Sequence, residues 1–600
     1  MTGNLLDNLV RAARILPRPH VARWLATIPL GVLSAVVESA AAAGVYALAA
    51  ILNDPAGASS LPMVARLREA LPSRWTGEAD LLHAFLFFVT LVFALRIAIA
   101  FATAVYHQRV IARDRAELAA TLFHGYLRAP YTFHLHRNAA DHAHRINHGV
   151  DAVFGAVLGG AASLVTNAVA AIGLVVVLFA VDPWGAPLSV AALVLWMVVA
   201  TRVVRAGLVG LGREADEAVR SRHEILWRGL DTVRELQVLG RERHVAEAFA
   251  AAQRRVVKVY LRSGLLALAP RLLLETIFVF AMVMLSAMLL LRAEQPAPIV
   301  PLLGLYAYVG VRLLPIANAM LAAAAGISGA TEPLTYLCED WKLVQAGLAE
   351  CEAEEPEPLA FAESIELDDV CYRYEGAGAD ALAGVRLEIH KGEHVGVVGA
   401  TGAGKSTLLG VLLGLLAPTS GRVRVDGDVL VGRERAWRRR VGFVPQSIQL
   451  IGGSVRANVA LGVPDADIDD EAVWRALELA QLDHVVRGLS GRLETEVGDR
   501  GIRLSGGQRQ RLAVARALYA GPDVLVFDEA TSALDAWTER EVVEGIAAAA
   551  PGLTMIVVAH RLATVRHCGR IVVLEGGRVE AIGTWEELAA DCPAFRRLMA

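Results

Sequence analysis

Leu504-Ser505-Gly506-Gly507-Gln508 is the stretch that restricts the fold of this chain most strongly. It stands about a hundred residues after a glycine-rich segment that ends in Gly404-Lys405-Ser406, and it precedes an apolar run that ends in Asp528-Glu529. The glycine-rich segment follows Val395-Gly-Val-Val-Gly399, which is typical of a buried strand, and leads into a predicted helix. A strand, a glycine-rich loop and a helix in this order form the context that a phosphate-binding loop requires.

The phosphate-binding loop carries its own chemistry. Backbone N–H groups and the N-terminus of the following helix cradle phosphate oxygens, and Lys405 places a cation against them. Ser406 and Asp528 are expected to hold Mg²⁺, Asp528 through a water molecule. Glu529 ends the same strand as Asp528, where a carboxylate can polarise an attacking water. The residues expected around the nucleotide in this loop are Gly399, Thr401, Gly402, Gly404, Lys405, Ser406 and Thr407.

Together the three elements resemble the nucleotide-binding domain of the ABC family, in which such domains hydrolyse ATP as pairs. The resemblance implies ATP and Mg²⁺ as ligands and Glu529 as the catalytic base. It further implies that Gln446 contacts Mg²⁺ and water and that His560 contacts the γ-phosphate. The stretch from Ser505 to Gln508 would reach a nucleotide that the phosphate-binding loop of another chain holds.

Two further residues take roles from the same resemblance. Tyr374 matches the aromatic side chain that stacks on adenine, whereas Tyr372 is the competing choice and is expected to face the core. Asp535 matches a loop that crosses between the partners. Because the residues that the resemblance requires are present, both sites are expected to work in a pair of identical chains, although a heterodimer stays an alternative.

Composition indicates that much of the remaining chain lies in a membrane. The 600 residues are 55% hydrophobic and 20% charged, and mean hydropathy is +0.45, which is too apolar for an ordinary soluble enzyme. The formal net charge of −4 gives no basic surface, so nucleic acid is not an expected partner. The five cysteines show no paired spacing, which favours free thiols in a reducing compartment.

The first 330 residues contain apolar runs that are each long enough to cross a hydrocarbon core of ~30 Å with ~20 helical residues. Arg11, Arg14 and Arg18 precede the first run and arginines are dense over 202–262, which places both segments in the cytoplasm. An even number of spans then returns the chain to the cytoplasm. We expect a multi-pass protein of the cytoplasmic (inner) membrane with both termini in the cytoplasm. The predicted spans are 22–52, 81–106, 152–181, 184–205, 262–292 and 297–322.

The predicted fold class is therefore a membrane α-helical domain of six helices with long cytoplasmic extensions, joined to an α/β ATPase. The membrane domain is expected over 1–340 and the ATPase over 364–600. Between them, 341–363 contains the acidic sequence Glu350-Cys-Glu-Ala-Glu-Glu-Pro-Glu-Pro358 and is interpreted as a linker. Resemblance to ABC exporters places two elbows that touch the ATPase near 138–144 and 224–231.

The segment 61–71 lies in the first external loop. Its Val64, Leu67 and Leu71 share one helical face, so it is interpreted either as an interfacial external helix or as a plain structured loop.

Five ionisable residues lie within the apolar runs, at similar depth on four helices. Such residues are costly in lipid and usually face a cavity or a partner, so we expect a charged belt around a central cavity. Arg271 and Glu275 are four residues apart and could instead neutralise each other. Arg96 and Arg312 have no obvious local partner, which favours an anionic group on the substrate. The five residues are Glu38, Arg96, Arg271, Glu275 and Arg312.

Short stretches around these residues are similar to bacterial lipid-linked oligosaccharide flippases and their relatives, among them Tyr126-Leu-Arg-Ala-Pro-Tyr131 and Arg312-Leu-Leu-Pro315. The resemblance implies an ATP-driven exporter or flippase that works as a dimer in contact with membrane lipids. Its substrate would be amphiphilic, and anionic or lipid-linked. A peptide or hydrophobic-drug exporter is one alternative, and a membrane-tethered ATPase that moves no solute is another.

Overall fold

A computed structural model describes residues 5–15, 18–58, 61–70, 78–135, 137, 139–292, 299–352, 359–498, 504–529, 544–559 and 562–599. The chain divides into two compact units. The first comprises 1–129 and 136–349, and the second comprises 350–600 together with the short segment 130–135.

Among its described residues, the first unit contains helices joined by short turns and no strand. Its helices are α1 (Leu5–Ile15), α2 (Arg18–Leu25), α3 (Thr27–Asn53), α4 (Pro55–Ala58), α5 (Pro62–Ala70), α6 (Glu78–Arg128), α8 (Ala139–His144), α9 (Gly159–Val181), α10 (Ala186–Asp231), α11 (Val233–Leu239), α12 (Glu242–Arg292), α13 (Ile299–Gly329) and α14 (Thr331–Glu352), while α7 (Tyr131–Leu135) belongs to the second unit.

Long apolar helices form because a helix satisfies its own backbone hydrogen bonds where water is excluded. Among the described residues, four helical segments are long and apolar enough to cross a membrane, and each overlaps one predicted span. The predicted span 262–292 lies on α12, and the predicted span 184–205 overlaps α10 from Ala186 onward; the described residues of both helices contain shorter apolar stretches. The four segments are His20–Asn53, Ala79–Arg128, Asp141–Val181 and Val300–Gly329.

The turn between α9 and α10 shows how a tight connection is made. The Asp182 carboxylate accepts hydrogen bonds from the backbone N–H groups of Trp184 at 3.3 Å and Gly185 at 2.9 Å. Its second oxygen accepts from the Tyr306 hydroxyl at 2.9 Å. The short Asp182-Pro183 connection of the sequence is thereby fixed to α13.

Two π-helical segments, Arg145–Gly149 and Ala152–Leu158, precede α9. A π turn holds one more residue than an α turn and often marks a functional position. The second segment is tightly packed, because Val153, Phe154 and Val157 are fully buried.

Two segments whose structure the sequence left open or predicted as a linker contain helix in the structure. Residues 62–70 form α5, with Val64 fully buried in a cluster that contains Ile51 and Phe85, so this segment packs on α3 and α6. Helix α14 extends to Glu352, and its Trp341 and Val344 are buried. The linker predicted over 341–363 thus begins inside a helix, because apolar side chains of α14 are buried in the first unit.

The second unit is built on two sheets. Its strands are β1 (Ser364–Tyr372), β2 (Leu382–His390), β3 (His394–Gly399), β4 (Ser420–Val425), β5 (Asp428–Val429), β6 (Val441–Val444), β7 (Val524–Asp528), β8 (Thr554–Val558), β9 (Arg570–Glu575) and β10 (Arg578–Gly583). Its helices beyond α7 include α15 (Lys405–Leu412), α16 (Glu434–Arg438), α17 (Val455–Val459), α18 (Asp470–Leu479), α19 (Asp483–Gly488), α20 (Gly506–Tyr519), α21 (Leu562–Val565), α22 (Trp585–Asp591) and α23 (Pro593–Met599).

The larger sheet has the order β10-β9-β3-β8-β7-β6, and β9, β3, β8, β7 and β6 run parallel. Its central strands are continuous apolar runs because both faces of a parallel sheet are covered. The smaller antiparallel sheet has the order β2-β1-β4-β5. Leu359 and Phe361, which precede β1, are buried in the core that both sheets share.

Candidate functional site

Strand order brings the predicted nucleotide residues of the second unit together. The phosphate-binding loop follows β3, Asp528 and Glu529 end β7, and Gln446 follows β6. These strands lie within four consecutive places of one parallel sheet, so their carboxyl ends share one edge. In open α/β sheets that edge is where ligands bind.

The loop from Gly399 to Lys405 is shaped by its glycines. Gly404 has φ +101° and precedes the first residue of α15. A Cβ atom there would lie 2.7 Å from the carbonyl oxygen of Ala381, so another residue is excluded by conformation and by space. Lys405 is buried, and its ammonium donates to the carbonyl oxygens of Gly399 at 2.7 Å and Ala400 at 3.3 Å.

Lys405 and the two carboxylates of β7 influence one another electrostatically. Burial lowers the pKa of Lys405, and the negative charges of Glu529 and Asp528 oppose that shift. Burial, and secondarily the charge of Glu529, raise the pKa of Asp528, while Lys405 opposes this shift. The strand end therefore holds more negative charge than Lys405 alone compensates.

Glu529 is held in an unusual backbone conformation. Its φ of +50° is rare for a residue with a side chain and is typical of functional positions. The backbone N–H of Glu529 donates to the Val558 carbonyl oxygen at 2.9 Å. Its carboxylate accepts a hydrogen bond of 2.6 Å from the side-chain amide of Gln446.

The donor set fits a nucleotide with Mg²⁺. A carboxylate and a hydroxyl are oxygen ligands of the type that Mg²⁺ prefers, and Asp528 and Ser406 provide them at the sheet edge. Burial first, and then the charge of Glu529, raise the pKa of Asp528, and a divalent cation beside this carboxylate would oppose the shift.

Tyr374 and Tyr372 differ in their surroundings. Tyr372 is buried in the core, whereas Tyr374 is half-buried and its hydroxyl lies 3.1 Å from the Thr407 hydroxyl. The structure thus places Tyr374 beside α15, next to the predicted phosphate-binding residues.

The stretch 504–508 forms the start of α20. The Ser505 hydroxyl accepts from the backbone N–H of Gln508 at 3.2 Å, and the Gln508 side chain accepts from the backbone N–H of Ser505 at 2.9 Å. This capping box fixes the helix end. Ser505 is exposed, so the positive end of a fourteen-residue helix faces outward from its unit. His560 and Asp535 lie outside the described residues.

In the first unit, three of the five predicted intramembrane charges converge. The Arg96 guanidinium donates a hydrogen bond to one carboxylate oxygen of Glu38. Arg312 lies 3.1 Å from the other oxygen, and the Tyr308 hydroxyl lies 3.3 Å from the same atom. The two arginines that lacked an obvious local partner in the sequence thus share one carboxylate. The cluster carries one net positive charge.

This cluster lines a cavity of about 500 Å³ between α3, α6, α9 and α13. The wall beyond the charges is mainly apolar, and Thr103, Thr166 and Asn167 add polar groups to it from two of the helices. These residues were not predicted, although polar side chains within apolar runs were the available signal. Glu275 is not among the lining residues of this cavity, and the Arg271 side chain lies outside the described part of the chain.

Two family models match the chain. The model described as the ABC transporter transmembrane region matches residues 28–296, and the model described as ABC transporter matches residues 382–532. A solved structure, "Structure of a bacterial Atm1-family ABC exporter with ATP bound", is similar with a TM-score of 0.77. It covers 97% of this chain and 98% of its own, and at 22% identity it shows the fold.

Curated relatives match part of the chain. The ATP-dependent lipid A-core flippase of Ralstonia nicotianae is 45% identical over 226 residues, which are 37% of this chain and 38% of that protein. The cyclolysin secretion/processing ATP-binding protein CyaB of Bordetella pertussis is 43% identical over 242 residues, 40% of this chain and 34% of that protein. The chain thus matches well under half the length of either relative. With a transmembrane region and an ATP-binding domain fused in one polypeptide, the chain belongs to the ABC transporter family.

Proposed function

We propose that the second unit hydrolyses ATP and that this hydrolysis drives transport through the first unit. The shared sheet edge supports the ATPase proposal, because it gathers a phosphate-binding loop, a buried ammonium and two adjacent carboxylates. The fold similarity to an exporter with ATP bound is in keeping with it.

The proposed roles follow from the contacts. Lys405 now donates to Gly399 and Ala400 of its own loop, and phosphate oxygens would replace these neutral carbonyls with charged acceptors. Glu529 would accept the proton of the attacking water, and Gln446 would orient its carboxylate. Mg²⁺, held by Ser406 and Asp528 with Gln446, would neutralise charge that develops on the phosphates. His560 and Asp535 keep their predicted roles at the γ-phosphate and between partners, and Tyr374 that at adenine.

We further propose that two identical chains form the working transporter. Ser505, Gly506 and Gly507 lie at the outward-facing, positive end of α20, where they can meet an anionic group on another molecule. The nucleotide on the phosphate-binding loop of the second chain is the proposed group. A heterodimer with a related chain is the alternative.

One observation carries the substrate proposal: Glu38 is shared by Arg96 and Arg312 inside an intramembrane cavity. The remaining positive charge favours an anionic group, and the apolar helices around it favour an acyl chain. We therefore propose an amphiphilic, anionic or lipid-linked substrate moved by alternating access across the cytoplasmic membrane. The flippase name of the Ralstonia relative supports a lipid. The name of the Bordetella relative keeps a polypeptide substrate as the second candidate.

The test uses the full chain in phosphatidylcholine vesicles, with or without lipid A or phosphatidylglycerol. ATP hydrolysis and movement of a headgroup-labelled fluorescent phosphatidylglycerol, read by a membrane-impermeant quencher, are measured together. We expect anionic lipid to stimulate hydrolysis and ATP to drive lipid movement. The Glu529→Gln protein supplies the background without hydrolysis.

The double variant Arg96→Gln with Arg312→Gln tests the cavity. Loss of anionic-lipid stimulation with retained basal hydrolysis is expected. Unchanged stimulation would contradict the cavity chemistry. Stimulation by peptides alone would favour the second candidate, and hydrolysis without movement of any tested solute would favour a tethered ATPase.

A further inference from the structure

A fully buried carboxylate lies in α14, outside both sites described above. Asp340 has no exposed surface, and three side chains donate hydrogen bonds to it. The Tyr126 hydroxyl donates at 2.5 Å, Arg137 donates at 2.6 Å, and Arg145 lies 3.2 and 3.3 Å from the two carboxylate oxygens. A buried charge held by this many donors is fixed in place.

The positions of these residues along the chain are the informative feature. The chain passes from one unit to the other at three places, 129/130, 135/136 and 349/350. Tyr126 stands just before the first passage, Arg137 and Arg145 follow the second, and Asp340 precedes the third. The Asp340 carboxylate therefore connects residues of the first unit that stand next to all three of these places in the chain.

Close packing accompanies the hydrogen bonds. A Cβ atom on Gly125 would lie 2.3 Å from a methyl group of Val344, so α6 approaches α14 as closely as a glycine permits. The Arg145 guanidinium lies 5.0 Å from the ring centre of Tyr336, also on α14. A Cβ on Gly149, at the end of the first π segment, would meet the same ring at 3.1 Å. Both flanks of α7 thus pack on one helix.

The charges make the arrangement depend on Asp340. Arg137 and Arg145 have side chains that are only 23% and 21% exposed. Removing the carboxylate charge would leave two part-buried guanidinium groups facing each other. Loss of one partner from a buried ion pair is strongly unfavourable for the groups that remain.

We propose that Asp340 is a positioning residue that couples nucleotide binding to the membrane helices. Displacement of the segment 130–135 with the second unit moves Tyr126 and Arg137 together, and Asp340 passes this displacement to α14 and to the π segments before α9. This proposal rests on the proposed ATP-driven function of the chain, and it adds the residue that transmits the movement.

Hydrogen–deuterium exchange of the full chain tests the proposal, with adenylyl imidodiphosphate and Mg²⁺ as the trigger. In the wild type, we expect changed exchange both in peptides over 399–412 and in peptides over 139–158. Asp340→Asn is expected to retain the change over 399–412, and to hydrolyse ATP, while the change over 139–158 is lost. Glu339→Gln is the matched control, because it makes the same chemical change at an exposed neighbour on α14 and is expected to behave as the wild type.

Two outcomes would overturn the role of Asp340. One is a retained response over 139–158 in Asp340→Asn, and the other is loss of the response in both regions, which would mean that Asp340 only maintains the fold. If Asp340→Asn cannot be isolated, Tyr126→Phe removes one neutral donor and is judged by the same comparison, with partial loss expected. The nucleotide analogue only has to bind, so the exchange data decide on Asp340 even if the protein does not hydrolyse ATP. A wild type that binds ATP without hydrolysing it would contradict the proposed function alone.

Discussion

The side-chain amide of Gln446 and the carboxylate of Glu529 are joined by a hydrogen bond of 2.6 Å, although 83 residues separate them in the chain. The two residues follow adjacent parallel strands, β6 and β7. The bond therefore ties the loop after one strand to the proposed base at the end of the next. It also supports Glu529 in its left-handed backbone conformation, with φ +50°.

This pair predicts different effects on binding and on chemistry. Glu529→Gln is expected to lower the rate of ATP hydrolysis by roughly 10²- to 10⁴-fold, the contribution of a positioned general base. Gln446→Ala is expected to cause a smaller loss, because the base remains but is less well oriented. ATP affinity, measured with a fluorescent ATP analogue, stays near that of the wild type in both variants. Glu586→Gln, an exposed carboxylate of α22, is the control, and a comparable loss of hydrolysis there would undermine the assignment.

The pKa of Asp528 predicts a pH-dependent requirement for Mg²⁺. Burial and the charge of Glu529 raise this pKa, so the carboxyl takes up a proton at a higher pH than an ordinary aspartate. Protons and Mg²⁺ then compete for the same oxygens. The Mg²⁺ concentration for half-maximal hydrolysis is expected to rise as pH falls below neutrality. Titrations with Mg²⁺ over a pH series measure this, and a midpoint that does not move with pH would speak against Asp528 as a ligand.

We predict that position 404 accepts no residue with a side chain. Gly404→Ala combines φ +101° with a contact of 2.7 Å to the Ala381 carbonyl oxygen, and such backbone strain costs about 1–3 kcal/mol. ATP affinity is expected to fall at least tenfold, equivalent to about 1.4 kcal/mol. Gly488→Ala is the matched control, because an added Cβ there meets no atom within 4 Å. Equal affinities in the two variants would contradict the prediction.

We predict that the thermal stability of the protein depends on the negative charge of Glu38 in the cavity. The Glu38, Arg96 and Arg312 side chains are 10%, 18% and 29% exposed. Glu38→Gln leaves two largely buried cations uncompensated, a change of the kind that costs about 3–5 kcal/mol. A lower melting temperature of the full chain in detergent is expected, and added phosphatidylglycerol is expected to restore part of it.

A matched control for Glu38 lies on the surface of the first unit. Glu217 is 75% exposed and lies 3.9 Å from Arg255, so Glu217→Gln is expected to change stability by less than about 1 kcal/mol. Equal melting temperatures for Glu38→Gln and Glu217→Gln would show that the shared carboxylate contributes little.

The sequence predicted the ATPase fold because its signals are local. A strand, a glycine loop and a helix follow one another within a few residues, and β3, the loop and α15 lie where that pattern indicated. Long apolar runs likewise indicated the helices of the first unit, since crossing a membrane requires about 20 apolar residues in succession. The ABC transporter family and the fused arrangement of its two domains are confirmed.

Pairings over long sequence distances were beyond such signals. The sequence around Arg96 and Arg312 does not indicate that both contact Glu38. The three residues lie on three helices, and the rotation of each helix about its own axis is set by packing in the folded protein. Asp340 gave even less indication, since an acidic residue in a charged helix is usually exposed. The extent of α14 was hidden for the same reason, because burial of Trp341 and Val344 depends on contacts with the rest of the first unit.

The two π segments before α9 have a consequence for chain length. Each π turn accommodates one residue beyond those of an α turn, so 145–158 contains more residues than an uninterrupted α-helix of the same height. Deleting a single residue there would let one π turn return to α geometry, so the helix on either side would keep its orientation. The same deletion in a regular α-helix would turn everything on one side of it by about 100°. Loss of one residue between Arg145 and α9 is therefore expected to preserve the direction of Arg145 toward α14, whereas the same loss within α14 would not preserve the direction of Asp340.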